Sequence, residues 1–344
     1  MTISVVIPIY NVEKYIRRCL ESVIAQDSGF FDIECLIVDD CSHDSSMSII
    51  KDIIDNYTGN NISFHFIHHE ENMGISITRN HGILAATGEY LFFIDSDDDI
   101  LDNSFMTFVS YLEKYPSTDI IIGDMLWVEH NLFMNSPFAK YGAFPIFVED
   151  KRKIMEFVLN RHVDRHACNK FVRRSLVVDN KLFFDPGMIY EDVVWTYRLY
   201  SCTSSILIIP ELTYRYELNP LSLVHTSEKR SEQLINSFVY ISDYLLNNPP
   251  IVFGKKTLFT AHKLFVHHWM LNAIYYANLY GTCQKNHEKM TILRRRLFLY
   301  SVSHFRLVMM IYFLTMFKPF CYLLKMKWFR ANLYRINRLV YLLS

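Results

Sequence analysis

Short β-branched runs alternate with segments of helical periodicity through the first hundred residues, the order that an α/β sheet requires. "ISVVIPIY" (Ile3–Tyr10) predicts a strand closed by a turn at Pro8 to Asn11. Behind it, Val12, Ile16, Cys19, Leu20, Val23 and Ile24 recur at helical spacing. "IECLIVDD" predicts a second strand ending in two aspartates, and "SHDSSMSIIKDIIDNY" a helix opened by Ser and Asp caps. A third strand, "ISFHFIHH", a helix, "GISITRNHGILAA", and a fourth strand, "EYLFFID", follow. From about Asp102 to Pro210 the alternation loosens. "DIIIGDMLWVE" predicts a strand there, while "HACNKFVRRSLVVDN" and "YEDVVWTYRLYS" predict helices flanking a short strand near "LFFDPG". Beyond about Thr226 the pattern is almost wholly helical. The expected organisation is an α/β body over residues 1–225, in halves 1–100 and 101–225, then an α-helical C-terminal region over 226–344.

Composition adds a core and a polarity to this outline. Of the 344 residues, 51% are hydrophobic, enough for a sizeable core and against disorder. The formal charge of −1 conceals a division: Lys289 to Ser344 holds eleven Lys or Arg and no Asp or Glu. An acidic body thus precedes a basic, aromatic-rich tail. Seven cysteines without a CxxC pair fit a reducing compartment. The N-terminal stretch lacks a cationic leader and reads as a strand, not a signal peptide. Leu307 to Leu324 is interrupted by Lys318 and Pro319 and is too broken for a membrane span. A cytoplasmic location is the expectation.

Candidate chemistry gathers at strand ends. Ligands of open parallel sheets bind beyond the carboxyl ends of the strands, and two strands here end in acids, at Asp39 and Asp40 and at Asp95. "FFIDSDDD" crowds four carboxylates into five positions, Asp95 to Asp99. Such a set suits hydroxyls, the N–H edge of a base or a hard divalent cation. A solvated turn or a helix cap is the other reading of an isolated Asp-x-Asp. An EF-hand does not fit, because the central Gly and the closing Glu are missing.

Read in order, "VVIPIYN", "VDDCSHDSS", "NMGISITRNHGILAATGEYLFFIDSDD" and "HACNKFVRRSL…LFFDPGMIYEDVVW" resemble the family 2 glycosyltransferases, which use nucleotide-diphosphate sugars. The resemblance covers roughly Ile3 to Thr226 and leaves out the tail. It implies a GT-A fold, a Rossmann-like nucleotide-sugar-binding sheet with helices on both faces, over 1–225. It also implies an inverting, metal-dependent transferase using Mn²⁺ or Mg²⁺, in bacterial cell-surface glycan synthesis (polysaccharide, lipopolysaccharide or capsule). By position, Pro8 and Tyr10 border the base. Asp40 accepts from the N3–H of uracil with Asp39 in support, and Asp44 completes that motif. Arg79 lies against the nucleotide-side acids; Gly74 and Gly82 serve backbone geometry. Asp97 binds the metal, Asp95 binds metal or donor hydroxyls, Ser96 lies in the same motif and Asp98 borders the donor sugar, while Asp99 closes the turn. Asp192 is the base, with Glu191 positioning the acceptor or sharing the role. Ser222 falls in the segment beside the diphosphate, and His225 is a further metal candidate; Arg215 stands out of the family's register there. Lys170 reads either as a phosphate or acceptor contact or as a solvated helix lysine, and His166 as structural or functional.

The partners so implied are a nucleotide-sugar donor, probed first as a UDP-sugar, and a saccharide or lipid-linked saccharide acceptor. The tail "KMKWFRANLYRINRLVYLL" interleaves basic, aromatic and aliphatic residues. It fits peripheral contact with the inner face of the cytoplasmic membrane, or a helical subdomain packed on the body. No nucleic-acid module is present, and nucleic acid is not expected as a partner. Two rivals are weighed: a sugar nucleotidyltransferase, whose Gly- and basic-rich phosphate loop "PIYNVEKY" does not supply, and a non-catalytic nucleotide-sugar or membrane-binding protein of the same fold.

Overall fold

In a computed structural model of the chain, the structure describes residues 1–129, 132–134, 144–159, 163, 165–218, 231–250 and seven positions between 262 and 273. Two compact units emerge: 1–187 with 191–220, and 188–190 with the residues from 221 onward.

The first unit opens with β1 (Thr2–Ile9), α1 (Ile16–Ile24), β2 (Asp32–Asp39), α2 (Ser46–Asp55), β3 (Ile62–His68), α3 (Ile75–Ala85) and β4 (Tyr90–Phe93), the predicted order. It continues with β5 (Asp99–Ile100), α4 (Ser104–Lys114), β6 (Ile120–Glu129), β7 (Leu132–Met134), β8 (Ile146–Val148), α5 (Lys151–Leu159), β9 (Lys170–Arg173), α6 (Arg174–Asp179), α7 (Glu191–Cys202) and β10 (Ile206–Glu217). One mixed sheet runs β3-β2-β1-β4-β9-β6-β10-β5, with β7 beside β6 and β8 beside β10. β1, β2, β3 and β4 are parallel, so Asp39 ends level with Ile9.

Side chains alternate across a strand, and here both faces are covered. Val5, Ile7, Cys35, Ile37 and Phe92 share a core with Cys19 and Leu20 of α1, Ile50 of α2 and Phe105 and Phe108 of α4. On the other face Val6 meets α3 so closely that a Cβ at Gly82 would lie 2.3 Å from Val6 Cγ1. Phe93 packs edge-on against Phe184 and Trp195, which stack on each other at 4.5 Å. Phe92 is the hub of the first face, touching the rings of Phe105, Phe108, Phe171 and Tyr214. A fully buried ring of this kind contributes about 1.5–3 kcal/mol.

Two predicted elements are corrected. "HACNKFVRRSLVVDN" is not one helix: Asn169 adopts φ +56, and the next four residues form β9 between β4 and β6. Filling that gap buries Phe171 and Val172 completely, which outweighs the helical propensity of the segment. No strand forms at "LFFDPG". Its backbone is instead taken by side chains: Trp195 donates to Leu182 O, Arg198 to Phe183 O, and Asn80 both accepts from Phe184 N and donates to Phe184 O.

In the second unit α8 (Ser231–Asn247) buries Leu234, Ile235, Phe238, Ile241 and Leu245. Ile189 N donates to Ser237 Oγ at 2.9 Å, and Tyr190 stacks on Phe238 at 5.4 Å. Burial lowers the pKa of His262 to about 4. Among the described residues no helix is long and apolar enough to cross a membrane. The basic tail, Ser222 and His225 lie outside the described residues.

Candidate active site

β4 delivers its last apolar residues into the core, and the chain then turns at Asp95, where Asp98 N donates to Asp95 O at 2.9 Å. Beyond the turn, β5 pairs antiparallel with β10, Asp99 opposite Arg215. The turn is held from two sides. Inside, the fully buried Tyr214 donates its hydroxyl to Asp98 Oδ2 at 2.8 Å and accepts from Asp95 N at 3.2 Å, while Glu217 N donates to Asp98 Oδ1 at 2.9 Å. Outside, Arg18 of α1 donates to Asp97 O at 2.8 Å and pairs with Asp99 at 2.8 Å.

Asp98 therefore points inward, where the expectation set it beside a donor sugar. Burial first, then the charges of Asp97 and Asp95, push its carboxyl well above the usual range. Asp99 is raised by burial too, against the pull of Arg18 and Arg215. Asp95 and Asp97 are only half-buried, and their carboxylates are the hard oxygen donors that Mg²⁺ or Mn²⁺ prefers. Among the described residues, the metal-ligating atoms that cluster within 4.8 Å belong to Asp95, Asp98 and Cys168. Both oxygens of Asp98 already accept hydrogen bonds and Asp95 Oδ1 accepts from Arg79, which leaves Asp95 Oδ2 and, outside that cluster, the Asp97 carboxylate as candidate donors to a cation.

Arg79 joins this turn to the second acidic motif. Gly74, at φ +85, starts α3, a backbone shape that suits glycine, and the helix carries Arg79 beneath the turn. Its guanidinium donates to Asp95 Oδ1 at 2.6 Å and to Glu191 Oε1, and lies 5.3 Å from the ring centroid of Phe184. Burial works against its charge, but Asp95 and Glu191 outweigh burial and, with Asp192, raise its pKa. Glu191 and Asp192 form the first turn of α7, where the helix dipole favours negative charge. One arginine thus gathers Asp95, Glu191 and Asp192 around a single positive centre.

At the end of β2 both carboxylates are buried and bonded. Asp39 accepts from Ser42 N at 2.9 Å and His68 Nδ1 at 2.8 Å. Asp40 accepts from His69 Nδ1, Met73 N and Gly74 N at 2.7, 2.8 and 2.9 Å. A carboxylate offers about four acceptor sites, so Asp40 retains roughly one, on Oδ2. Asp44 binds Glu13 N and the Ser46 amide and hydroxyl, tying the loop after β2 to the loop after β1. Pro8 pairs with Val38 in the sheet, Tyr10 is exposed at the end of β1, and Ser96 is buried in the turn.

Lys170 is corrected from a solvated helix residue to a buried one. It begins β9, is fully buried, and donates to His166 O at 2.5 Å and Cys168 O at 3.1 Å. His166 stacks on Tyr216 at 5.4 Å. Arg215 pairs with Glu217 at 3.1 Å. Sequence patterns alone do not mark Tyr214, Arg18 or His69, whose partners Asp98, Asp97 and Asp40 lie 116, 79 and 29 positions away.

Residues 4–178 match Glycosyl transferase family 2. The minor teichoic acid biosynthesis protein GgaB of Bacillus subtilis is 26% identical over 71% of this chain. The match spans only 26% of GgaB. The 1–349 fragment of Staphylococcus aureus TarS in complex with UDP-GlcNAc shares the fold with a TM-score of 0.64 at 20% identity, covering 89% of this chain and 93% of that one. The mannosyltransferase PcManGT from Pyrobaculum calidifontis, in complex with GDP-Man and Mn²⁺, gives a TM-score of 0.54 at 14% identity over 98% of this chain and 86% of that one. The sheet and its helices are a GT-A fold, and with the family match running from β1 into α6 the chain belongs to glycosyltransferase family 2.

Proposed function

We propose that this protein transfers a single sugar from a UDP-sugar to a saccharide or lipid-linked saccharide of a cell-surface polymer, with inversion at the anomeric carbon. The observation that carries this reading is the Arg79 bridge, which sets the Asp95 turn beside the acidic start of α7. Binding and chemistry thereby share one charged centre in the crevice beyond the strand ends. The match to glycosyltransferase family 2 supports sugar transfer, the UDP-GlcNAc in TarS supports a UDP-sugar donor, and the Mn²⁺ in PcManGT supports a divalent ion.

In the mechanism, Asp192 accepts the proton of the acceptor hydroxyl as its oxygen attacks the anomeric carbon. The bond from that carbon to the diphosphate oxygen breaks, and the diphosphate leaves with the electron pair. Glu191, tied to Arg79, orients the acceptor side. Asp97, with Asp95, would hold a Mn²⁺ or Mg²⁺ ion, which supplies charge neutralisation for the leaving diphosphate. The remaining acceptor site on Asp40 takes the N3–H of uracil, with Tyr10 and Pro8 at the border of the base. Residues 1–225 carry the catalytic activity, and the basic region 226–344 contacts the cytoplasmic face of the membrane peripherally.

Transfer from a panel of UDP-sugars with Mn²⁺, compared between wild type and Asp192→Asn, tests the reading. A general base contributes about 10²–10⁴-fold, and a loss of that size with retained UDP binding is the expected result. Undiminished transfer by Asp192→Asn would remove Asp192 as the base.

A further inference from the structure

We propose that the hydroxyl of Tyr214, assisted by Arg18, is a positioning device that holds the Asp95–Asp99 turn in its ion-binding shape before any donor arrives. The inference rests on the function proposed above and extends it to two residues that touch neither donor nor reacting atoms.

The Tyr214 oxygen stands at the one place where both ends of the turn meet. It accepts from Asp95 N at 3.2 Å and donates to Asp98 Oδ2 at 2.8 Å, and Asp98 N closes the turn on Asp95 O at 2.9 Å. Asp98 Oδ1 is fixed in turn by Glu217 N at 2.9 Å, so the turn is hung on β10 at two points. The ring needs none of this for packing: it is fully buried against Phe92, at 6.4 Å between centroids. On the opposite side Arg18 donates to the Asp97 carbonyl at 2.8 Å and pairs with Asp99 at 2.8 Å and Glu217 at 3.4 Å. Asp97 is thus held by its backbone from α1, and Asp95 by its backbone from β10.

This arrangement solves a specific problem. Asp95, Asp97, Asp98 and Asp99 carry like charges within five positions, and an unsupported turn would spread them apart. Arg79 already holds Asp95 Oδ1 at 2.6 Å, and pinning the backbone at Asp95 N and Asp97 O from the other sides fixes where the two side chains leave the turn. Preorganisation of this kind lowers the ordering cost of binding.

Tyr214→Phe removes one oxygen and keeps the ring, leaving Asp95 N and Asp98 Oδ2 without their partner. The measurement is Mn²⁺ uptake by the full chain saturated with UDP, read from the disappearance of the free-ion EPR signal. Tyr214→Phe is expected to weaken the Mn²⁺ Kd by about tenfold, the scale of one lost buried hydrogen bond. Saturating Mn²⁺ is expected to restore kcat in that variant. Arg18→Met, at a half-exposed side chain, is expected to weaken it by about threefold, with Arg18→Lys recovering part of the loss.

A residue with a merely structural role would lower the melting temperature and leave the Kd of the folded protein unchanged; that outcome overturns the inference. Should Tyr214→Phe fail to fold, the Arg18 pair decides by the same criterion. Wild type that takes up no Mn²⁺ with UDP would instead overturn the metal-assisted reading itself, a result distinct from equal uptake by wild type and both variants.

Discussion

The amino end of the sheet around Glu34 and the carboxyl end around Asp98 both bury a carboxylate, and their surroundings shift the two pKa values in opposite directions. Burial alone would raise Glu34, but donors from Ser4, Thr87 and Gly88 outweigh it and hold the carboxyl below its usual value. The Ser4 hydroxyl and Thr87 amide reach Oε2 at 2.5 and 2.8 Å, and the Thr87 hydroxyl reaches Oε1 at 2.8 Å. Asp98 has two such donors and two like charges nearby, so burial wins and the carboxyl rises. Where donors outnumber neighbouring charges, a buried acid fastens the fold. At the carboxyl end, Arg79 and Arg18 offset part of the like charge, and the proposed cation would complete the set.

The largest expected effect comes from the residue that blurs this division. Arg79 lies at the carboxyl end, yet Asp95 and Glu191 both depend on it. Arg79→Met leaves the half-buried Asp95 and the more deeply placed Glu191 facing each other without a counter-charge, and a loss of about 3 kcal/mol in denaturant unfolding is expected. Arg79→Lys retains the charge but not the forked geometry that spans two carboxylates, and should recover only part. Full stability in Arg79→Met would mean that the carboxyl end tolerates its acids without this bridge.

The same bridge marks the limit of what the chain discloses before folding. The Asp-x-Asp turn and the Glu-Asp pair are legible because each is a contiguous run at an element boundary. Their union is not, since Arg79 and Glu191 stand 112 residues apart. Apolar runs reveal β1 to β4 because each is a contiguous run rich in β-branched or aromatic residues, although β4 pairs with β1 and not with β3. β9 stays hidden because its four residues become a strand only by filling a gap between β4 and β6, and the burial of Lys170 is hidden with it. Tyr214 resists for a similar reason: its oxygen meets Asp98 from 116 positions away, and nothing local distinguishes it from any buried tyrosine.

A smaller effect isolates the amino end. Glu34→Gln keeps the shape and replaces one acceptor oxygen with a donor, and an expected loss of about 1 kcal/mol at pH 7 follows from one mismatched bond. The sign of its pH dependence is fixed by the direction of the shift. A carboxyl with a lowered folded-state value stabilises above its unfolded value, near 4.5, and loses that contribution as the pH falls through the folded one. Chemical denaturation of wild type and Glu34→Gln should therefore show a gap at pH 7 that narrows below about pH 4.5, while Mn²⁺ uptake with UDP stays the same. A gap that widened on acidification would contradict the account of Glu34.

The smallest expected change in stability belongs to Asp97→Asn, and that is what makes it the sharpest probe of the carboxyl end. Arg18 donates to its carbonyl, so that clamp on the turn survives the substitution. Removing one of several crowded negative charges relieves repulsion felt by Asp98, so stability should stay within about 0.5 kcal/mol of wild type. A cation that has lost a carboxylate ligand, however, has no compensating gain, and the Mn²⁺ response of UDP binding should disappear. Glu34→Gln and Asp97→Asn are then opposites, one losing stability with ion binding intact and the other losing ion binding with stability intact. If Asp97→Asn instead cost as much stability as Glu34→Gln and left Mn²⁺ uptake alone, the acids at both ends of the sheet would be doing the same structural job.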